Sequence, residues 1–278
     1  MEESLTIGSQ LDNVLSEDTR DKLLLQYLLL HRGSCEGTQL VKALEALDPT
    51  TLSHNDSSQM LKSWVTRINL ALNVIDFKIV RQMGRLGEWN YVYVDLAPAD
   101  DTKSATSLKP DDLTFVQWAI QRCLEDDKSA QEVNAVKSNV ETAVDNVLSE
   151  KFSTSEFDGL KLKVDYTCGS TELCQYEELN ALEVEGLLVH LCQLRWFYMT
   201  DQGRIGLDVR ALAELQEYIQ ARFEVPVCVV CHEIALQGAK CQCGESAWHV
   251  SCFRHFVTHV GSSCAHCGEK VQQAVYMS

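Results

Sequence analysis

Four closely spaced pairs of cysteine and histidine between residues 228 and 267 constrain this chain more than any other feature. Three pairs enclose two residues each, and one pair encloses a single residue. Zn²⁺ takes four nitrogen or sulfur ligands in a tetrahedron, and a short loop delivers two of them at once. The spacing therefore predicts two closed zinc sites. The pairs are Cys228 and Cys231, Cys241 and Cys243, His249 and Cys252, and Cys264 and Cys267.

Two ways of combining these pairs are open. Sequential pairing places the first four ligands on one zinc and the last four on the other. Interleaved pairing joins the first pair to the third and the second to the fourth, as in RING-like and PHD-like cross-braces. Interleaving suits a segment with few large apolar residues, because metal binding must then supply much of the folding free energy. We favour it and expect two Zn²⁺ per chain.

A disulfide framework is the competing explanation of clustered cysteines. The stretch MEESLTIGSQLDN is acidic and lacks an apolar run, so no secretory signal is expected. Scattered thiols in helical segments are typical of a reducing compartment. This favours zinc over disulfides. The remaining cysteines are Cys35, Cys123, Cys168, Cys174 and Cys192.

Further ligand-type residues have weaker claims. Each extra histidine lies beside a better-spaced cysteine, so a surface or outer-shell role is favoured over metal binding. His190 and its neighbouring cysteines suggest a third metal site or a thiol nucleophile, but idle thiols on helices are commoner. The extra histidines are His232, His255, His259 and His266, and the cysteines near His190 are Cys168, Cys174 and Cys192.

The apolar residues around the ligands favour a RING over a PHD finger. A PHD reader of methyl-lysine has tryptophan where this chain has Ser262. A RING that recruits a ubiquitin-conjugating enzyme presents an apolar residue between its first two ligands, here Val230, and an apolar helix after the sixth, here Phe253 and Phe256. Ala265 occupies the position where proline is common. The alternative is that these residues only pack the small domain.

Net charge argues for a partner-binding protein. The formal net charge is −16, and residues 224–278 hold three basic and four acidic side chains, which leaves −15 for residues 1–223. A chain this acidic is poorly suited to gripping a phosphate backbone by itself. No apolar run reaches the length of a membrane span, and no phosphate loop or hydrolase motif occurs.

The sequence before the zinc cluster predicts two winged-helix units. Residues 1–16 form a tail and residues 17–96 the first unit, with three helices followed by a hairpin turning at Gly84 and Gly87. Leucines surround its first helix on nearly all sides between residues 23 and 30, so that helix is expected to be buried. Residues 97–112 are polar with two prolines and predict a linker.

Residues 113–223 form the second unit. Its pattern predicts helices near 115–123, 133–147, 176–195 and 209–219, a strand near 160–166 and a hairpin over 196–207. The predicted fold is therefore mainly α with small β wings: tandem winged-helix domains followed by a two-zinc RING-like cross-brace over residues 224–278. A small basic patch on the first unit is a possible DNA contact, although solvated surface charge is commoner. It comprises Lys62, Arg67, Lys78, Arg81 and Arg85.

The order of these features, with RWFYMTDQGRIGLDVRALAELQEYI, CVVCHEIALQGAKCQCGESAWHVSCF and CAHC, resembles the non-structural maintenance of chromosomes element 1 family. These proteins are the RING-like subunits of the SMC-five/SMC-six complex. The resemblance is most specific over residues 196–267. The chain departs from the family pattern at Ala265 and in the short spacing of Cys241 and Cys243.

The resemblance implies a function that spacing alone does not. It implies a RING-type E3 ubiquitin ligase subunit that is stimulated by a MAGE-family partner, non-SMC element 3. It also implies a kleisin partner, non-SMC element 4, and contact with the SMC heads. The complex would act in the nucleus in recombinational DNA repair and replication-fork maintenance. The protein would contact DNA only through the complex and would contact no membrane. A purely architectural subunit is the alternative.

Overall fold

The computed structural model describes residues 16–47, 57–85, 87–96, 108–125, 162–163, 166–271 and 275–277. These residues form a mixture of helices and three small sheets, of three, four and three strands. No helix within the described ranges is both long and apolar enough to cross a membrane.

The first unit alternates helices with a three-stranded antiparallel sheet of order β1-β3-β2. Strands β2 and β3 form a hairpin in which Phe77 pairs with Asp95 and Met83 with Trp89. The elements are α1 (Glu17–Leu30), β1 (Ser34–Glu36), α2 (Gly37–Leu47), α3 (Ser57–Leu72), β2 (Phe77–Met83) and β3 (Trp89–Asp95).

Helix α1 is less buried than its leucines predict. Leu24 and Leu28 are fully buried in the core beneath the sheet, whereas Leu30 is 82% exposed. Leu23 and Leu29 are also exposed. A surface helix needs only one apolar stripe to bury against its neighbours, so the expectation of burial on nearly all sides is wrong. Ser16 caps the helix by accepting a hydrogen bond from the backbone N–H of Thr19.

The second unit has the same mixture of helices and a small sheet, of order β5-β7-β6. The predicted helix near 133–147 lies outside the described residues. The helix Ala181–Gln193 begins where Asn180 and Glu183 form a reciprocal capping box. The elements are α4 (Pro110–Leu124), β4 (Leu162–Lys163), β5 (Thr167–Gly169), α5 (Ser170–Leu173), α6 (Ala181–Gln193), β6 (Phe197–Met199), β7 (Arg204–Leu207), α7 (Val209–Glu214) and α8 (Gln216–Arg222).

The last part of the chain builds a four-stranded sheet of order β4-β10-β8-β9. Strand β10 pairs in parallel with β4, so this sheet includes backbone from the sequence of the second unit. The elements are β8 (Gly238–Lys240), β9 (Ala247–Trp248), α9 (Val250–His255), a π-helical turn (Phe256–Val260) and β10 (Val275–Met277).

Candidate metal centre

The eight predicted ligands gather into two groups in the interleaved order. Within each group the ligand atoms lie within 4.8 Å of one another. Sequential pairing is therefore wrong, because it would have placed Cys241 beside Cys228. The first group is Cys228, Cys231, His249 and Cys252, and the second is Cys241, Cys243, Cys264 and Cys267.

The first group is oriented by its histidine. The Nδ1 atom of His249 lies 3.3 Å from the Cys231 sulfur, and Nε2 lies 3.0 Å from the carbonyl oxygen of Ile234. A hydrogen bond from Nε2–H to that carbonyl fixes the ring and leaves Nδ1 to face the three sulfurs. His249 directly follows β9 and occupies the N-cap position of α9, so secondary structure on both sides holds its backbone in place.

A tight turn presents the first two cysteines. The backbone N–H of Cys228 donates to the Glu233 carbonyl at 2.9 Å, and the N–H of His232 donates to the Cys228 carbonyl at 2.9 Å. His232 has a φ of 62°, a left-handed conformation that closes the turn. Its side chain is exposed and belongs to neither group, as expected from its position.

The second group has two similar turns. The N–H of Cys241 donates to the Ser246 carbonyl at 2.8 Å, and the N–H of Cys264 donates to the Glu269 carbonyl at 2.7 Å. Gly244, with a φ of 85°, follows Cys243 and reverses the chain directly after the short ligand pair. The single residue between Cys241 and Cys243 is thus accommodated by a glycine turn.

The sulfur separations fit a tetrahedral zinc ion. Zn–S bonds of about 2.3 Å place two sulfur ligands about 3.8 Å apart. The sulfurs of Cys241 and Cys267 are 3.7 Å apart, and those of Cys243 and Cys264 are 3.9 Å apart. The donor sets, three cysteines with one histidine and four cysteines, are those of structural zinc sites. Both groups can therefore hold a metal ion of this kind.

One cysteine in each group is favoured as a thiolate at the expense of its neighbours. Hydrogen bonds with Cys228 and Cys231 raise the pKa of Cys252 well above its usual range, and burial raises the pKa of Cys241 to about 12. Hydrogen bonds from the Cys231 and Cys252 side chains hold the pKa of Cys228 well below its usual range. Burial lowers the pKa of His249, but interactions with the Cys228 and Cys231 sulfurs outweigh it and raise that pKa to about 10. Burial likewise raises the pKa of Cys264, while the Ser246 hydroxyl and nearby backbone N–H groups outweigh it and bring the pKa to about 6.

The predicted docking residues divide into buried and accessible ones. Phe253 is fully buried and Phe256 nearly so, and both rings pack on Trp248 with centroids 5.5 and 5.3 Å away. Their burial counts against a contact with a conjugating enzyme. Val230 is half-buried and Ala265 is exposed, so these two remain available for the predicted role.

The predicted basic patch is partly neutralised. Arg67 forms a forked pair with Asp21, at 2.9 and 2.7 Å, and also contacts Glu17 at 2.9 Å. These carboxylates raise the pKa of Arg67 chiefly through the Asp21 hydrogen bond. Lys62 and Lys78 are exposed.

The other two arginines of the patch, Arg81 and Arg85, contact aromatic rings. The Arg81 guanidinium stacks on Trp89 at 3.7 Å, and that of Arg85 lies 4.7 Å from the ring of Tyr198. Such stacking leaves a guanidinium less free to approach a phosphate. The DNA role of the patch stays a prediction.

A contact between the first hairpin and the metal centre could not be recognised in the sequence. Met83, at the end of β2, is buried against Cys228 and Cys252, and its sulfur accepts a hydrogen bond from the Ser251 hydroxyl at 3.3 Å. A Cβ atom added to Gly87 would lie 3.4 Å from the Ser251 nitrogen, which shows how closely the hairpin turn approaches helix α9.

Tyr198 joins the second unit to the same junction. Its hydroxyl accepts a hydrogen bond from the Gln237 side-chain amide at 2.9 Å, and its ring receives Arg85 from the first hairpin. Burial raises the pKa of Tyr198 to about 12, against the opposing positive charge of Arg85. Tyr198, Gln237 and Arg85 each come from a different part of the chain. In the sequence Tyr198 is an ordinary tyrosine in a predicted strand, so nothing there marks it as a contact between units.

Outside the two groups, the described residues contain no third cluster of three or more ligand-type side chains. Cys168 lies 3.1 Å from Cys123 in the buried core of the second unit, sulfur to sulfur. None of the twelve cysteines forms a disulfide. The third metal site considered from the sequence therefore does not form among the described residues.

Comparison with known proteins identifies the family of this chain. A family model described as the Nse1 non-SMC component of the SMC5-6 complex matches residues 21–215, which lie before both ligand groups. Non-structural maintenance of chromosomes element 1 of Saccharomyces cerevisiae is 31% identical over an alignment that covers 96% of this chain and 98% of that protein. The Homo sapiens homolog is 22% identical, covering 88% of this chain and 81% of that protein.

A solved structure shares the fold. A chain of the Nse1-Nse3-Nse4 complex matches with a TM-score of 0.63 at 19% identity, covering 90% of this chain and 95% of that one. The family model spans more than half of the chain, and the alignment to the Saccharomyces cerevisiae protein covers nearly all of it. This chain therefore belongs to the Nse1 family of non-SMC components of the SMC5-6 complex.

Proposed function

We propose that this protein is the RING-like E3 ubiquitin ligase subunit of an SMC5-6 complex, acting in the nucleus in DNA repair and genome maintenance. The observation that carries the proposal is the interleaved pair of zinc-type ligand groups in a chain of the Nse1 family. Each group would hold one Zn²⁺, giving two per chain. A protein of this kind needs no catalytic side chain, because it accelerates transfer by positioning a charged conjugating enzyme near its target.

The proposed partners follow from the solved relative. That chain belongs to a complex with Nse3 and Nse4, and we carry the same two partners, a MAGE-family subunit and a kleisin, to this protein. Contact with the SMC5-6 heads belongs to the same proposal. The net charge of −16 supports DNA binding only through the complex.

We also propose that residues 17–96 and 113–223 are winged-helix domains. In the first unit, three helices precede a two-stranded hairpin whose sheet also includes a short strand after α1. The second unit repeats this combination with β5, β6 and β7. Winged helices often serve as protein-docking modules, which suits an acidic subunit.

The test is a ubiquitin-discharge assay on the protein purified with its MAGE-family partner. Val230→Ala removes part of the accessible apolar surface beside the first ligands, and we expect it to abolish partner-dependent discharge. Val260→Ala, at a site that is 65% exposed in the same domain, is the matched control and should leave discharge unchanged. Bound zinc is counted in every sample. Full activity in Val230→Ala with two zinc ions bound contradicts the docking assignment.

An architectural role is the second candidate, and two observations favour it. Phe253 and Phe256 are buried inside the zinc domain, and the domain packs on the first hairpin through Met83. Under this role the zinc domain holds the subunits together. Cys252→Ala should then weaken assembly with the MAGE-family and kleisin partners, while Val230→Ala leaves repair intact. Normal assembly of Cys252→Ala, measured by co-purification, argues against it.

A further inference from the structure

A cleft with aromatic and acidic walls lies on the second unit, away from the metal centre. It has a volume of about 370 Å³ and lies between helix α4 and the loop that joins α5 to α6. Neither ligand group contributes to it. The residues that line it are Trp118, Arg122, Glu172, Gln175, Tyr176, Glu177 and Glu178.

The aromatic wall consists of two rings that pack on each other and on a third, buried ring. The rings of Trp118 and Tyr176 lie with centroids 5.0 Å apart and planes inclined by 43°. Phe115, which is fully buried, supports both from behind at 6.0 and 5.4 Å. Trp118 and Tyr176 are each half-buried, so part of each ring faces the cleft. Supported rings present their faces without further ordering, and those faces attract cations.

The negative charge of the acidic wall exceeds the positive charge that lines the same cleft. Three glutamates and one arginine line the cleft, which leaves a formal charge of −2. The Tyr176 hydroxyl donates to a carboxylate oxygen of Glu178 at 2.9 Å. Within the described ranges, no lysine or arginine lies within salt-bridge distance of Glu177 or Glu178, so the described residues supply no counter-ion at this end of the cleft.

The side chain of Arg122 occupies the other end of the cleft, beside Trp118 and Glu172. The Arg122 guanidinium lies 5.6 Å from the ring centroid of Trp118, and its Nε atom is 3.8 Å from a Glu172 oxygen. The cleft thus combines a ring and a carboxylate around a guanidinium at one end. The same combination, Tyr176 with Glu178, stands without a cation from the described residues at the other.

We propose that this cleft binds an arginine side chain presented by a partner polypeptide. A guanidinium is planar, so it can stack on a ring while its N–H groups donate to carboxylates in a fork. Lysine offers only a point charge and should bind more weakly. The site lies apart from the metal centre and does not depend on ubiquitin transfer, so its test is independent of the proposed ligase function.

The test measures fluorescence polarisation of a labelled Gly/Ser peptide that carries three arginines, titrated with the zinc-loaded full-length protein at low salt. Saturable binding is expected, weaker for a lysine peptide and lost for a glutamine peptide. Glu177→Gln with Glu178→Gln should weaken arginine binding by roughly five- to tenfold, since two ion pairs are lost while the aromatic wall is kept. Trp118→Leu should weaken it similarly while its thermal unfolding shows an intact fold.

Matched controls separate the cleft from general attraction to an acidic protein. Glu45→Gln with Glu217→Gln removes the same two charges at exposed sites on α2 and α8 and should change affinity less than about twofold. Arg122→Gln vacates the occupied end and should strengthen binding, whereas Arg222→Gln, with the same loss of charge, should not. Equal losses in the two double-glutamate variants overturn the proposal, and so does the absence of saturable binding.

Discussion

The Met83 sulfur and the Ser251 hydroxyl, 168 residues apart in the chain, meet at 3.3 Å between the first hairpin and the helix that carries Cys252. Met83 is 2% exposed and shares a buried cluster with Cys228 and Cys252. The metal centre is therefore not an independent appendage, because its first ligand group forms part of an interface with the hairpin.

Met83→Ala is expected to lower the free energy of unfolding by about 2 to 4 kcal/mol, since it leaves a cavity beside the first ligand group. Denaturant unfolding of the zinc-loaded protein measures the change. Met199→Ala, at a site that is 55% exposed, should cost less than about 0.5 kcal/mol. Equal effects of the two substitutions would show that the junction contributes no stability.

Gly238→Ala is expected to cost more than about 2 kcal/mol and to reduce zinc retention. Gly238 has a φ of 134°, and an added Cβ would lie 2.1 Å from the Trp248 carbonyl oxygen and 3.0 Å from the Cα of His249. Gly244→Ala is the control, with a φ of 85° but no neighbour within 4 Å, and should cost only about 1 kcal/mol. Metal analysis after dialysis distinguishes the two variants.

Tyr198→Phe is expected to lower stability by about 1 to 2 kcal/mol, because the buried amide of Gln237 loses its hydrogen-bond acceptor. The ring and its contact with Arg85 are retained. Tyr218→Phe, at a site that is 40% exposed, should be neutral. Thermal unfolding of both variants provides the comparison. An unchanged unfolding temperature of Tyr198→Phe would mean that water replaces the tyrosine hydroxyl as the acceptor for Gln237.

Removal of metal is expected to unfold the zinc domain. Seven cysteines and one histidine account for the two ligand groups, and the surrounding core is small, so binding energy is folding energy here. Native mass spectrometry should show the loss of two zinc ions with a chelator, and hydrogen exchange should show a loss of protected amides around Trp248. A protein that keeps this protection without metal contradicts the prediction.

Arg67→Gln is expected to destabilise the first unit by about 1 kcal/mol without changing the salt dependence of DNA binding by the complex. The guanidinium is held by Asp21 and Glu17, and its 38% side-chain exposure limits the gain through solvent screening. Lys62→Gln is the control for stability, with an expected change below about 0.5 kcal/mol. A flatter salt dependence of DNA binding in Arg67→Gln would contradict this prediction and show that Arg67 contacts DNA.

Local spacing predicted that the eight ligand-type residues gather into two groups, as the structure shows. The pairs of Cys and His fix which residues can share an ion, and interleaving follows because a small domain must tie its two halves together. The hairpin of the first unit was also predictable, since the β-branched and aromatic residues of Phe77–Met83 and Trp89–Asp95 flank a glycine turn.

Burial was less predictable than position. Phe253 and Phe256 were expected at a docking surface, yet Trp248 draws both into the core. An apolar residue on a short helix gives the same pattern whether it faces a partner or the core of its own domain. The contacts of Met83 and Tyr198 link units that are distant in sequence, and no local periodicity encodes such pairings.

The pairing of β4 with β10 has a consequence during synthesis. Leu162 pairs with Tyr276, 114 residues later, and every predicted metal ligand lies between them. While the ribosome makes the residues between these strands, Leu162–Lys163 cannot yet pair with β10. All eight ligands are made before β10, and so before the four-stranded sheet is complete. Metal binding can therefore precede completion of this four-stranded sheet. In a nascent chain that has already bound metal, β8 would be in place as an edge on which β10 can pair when it is made.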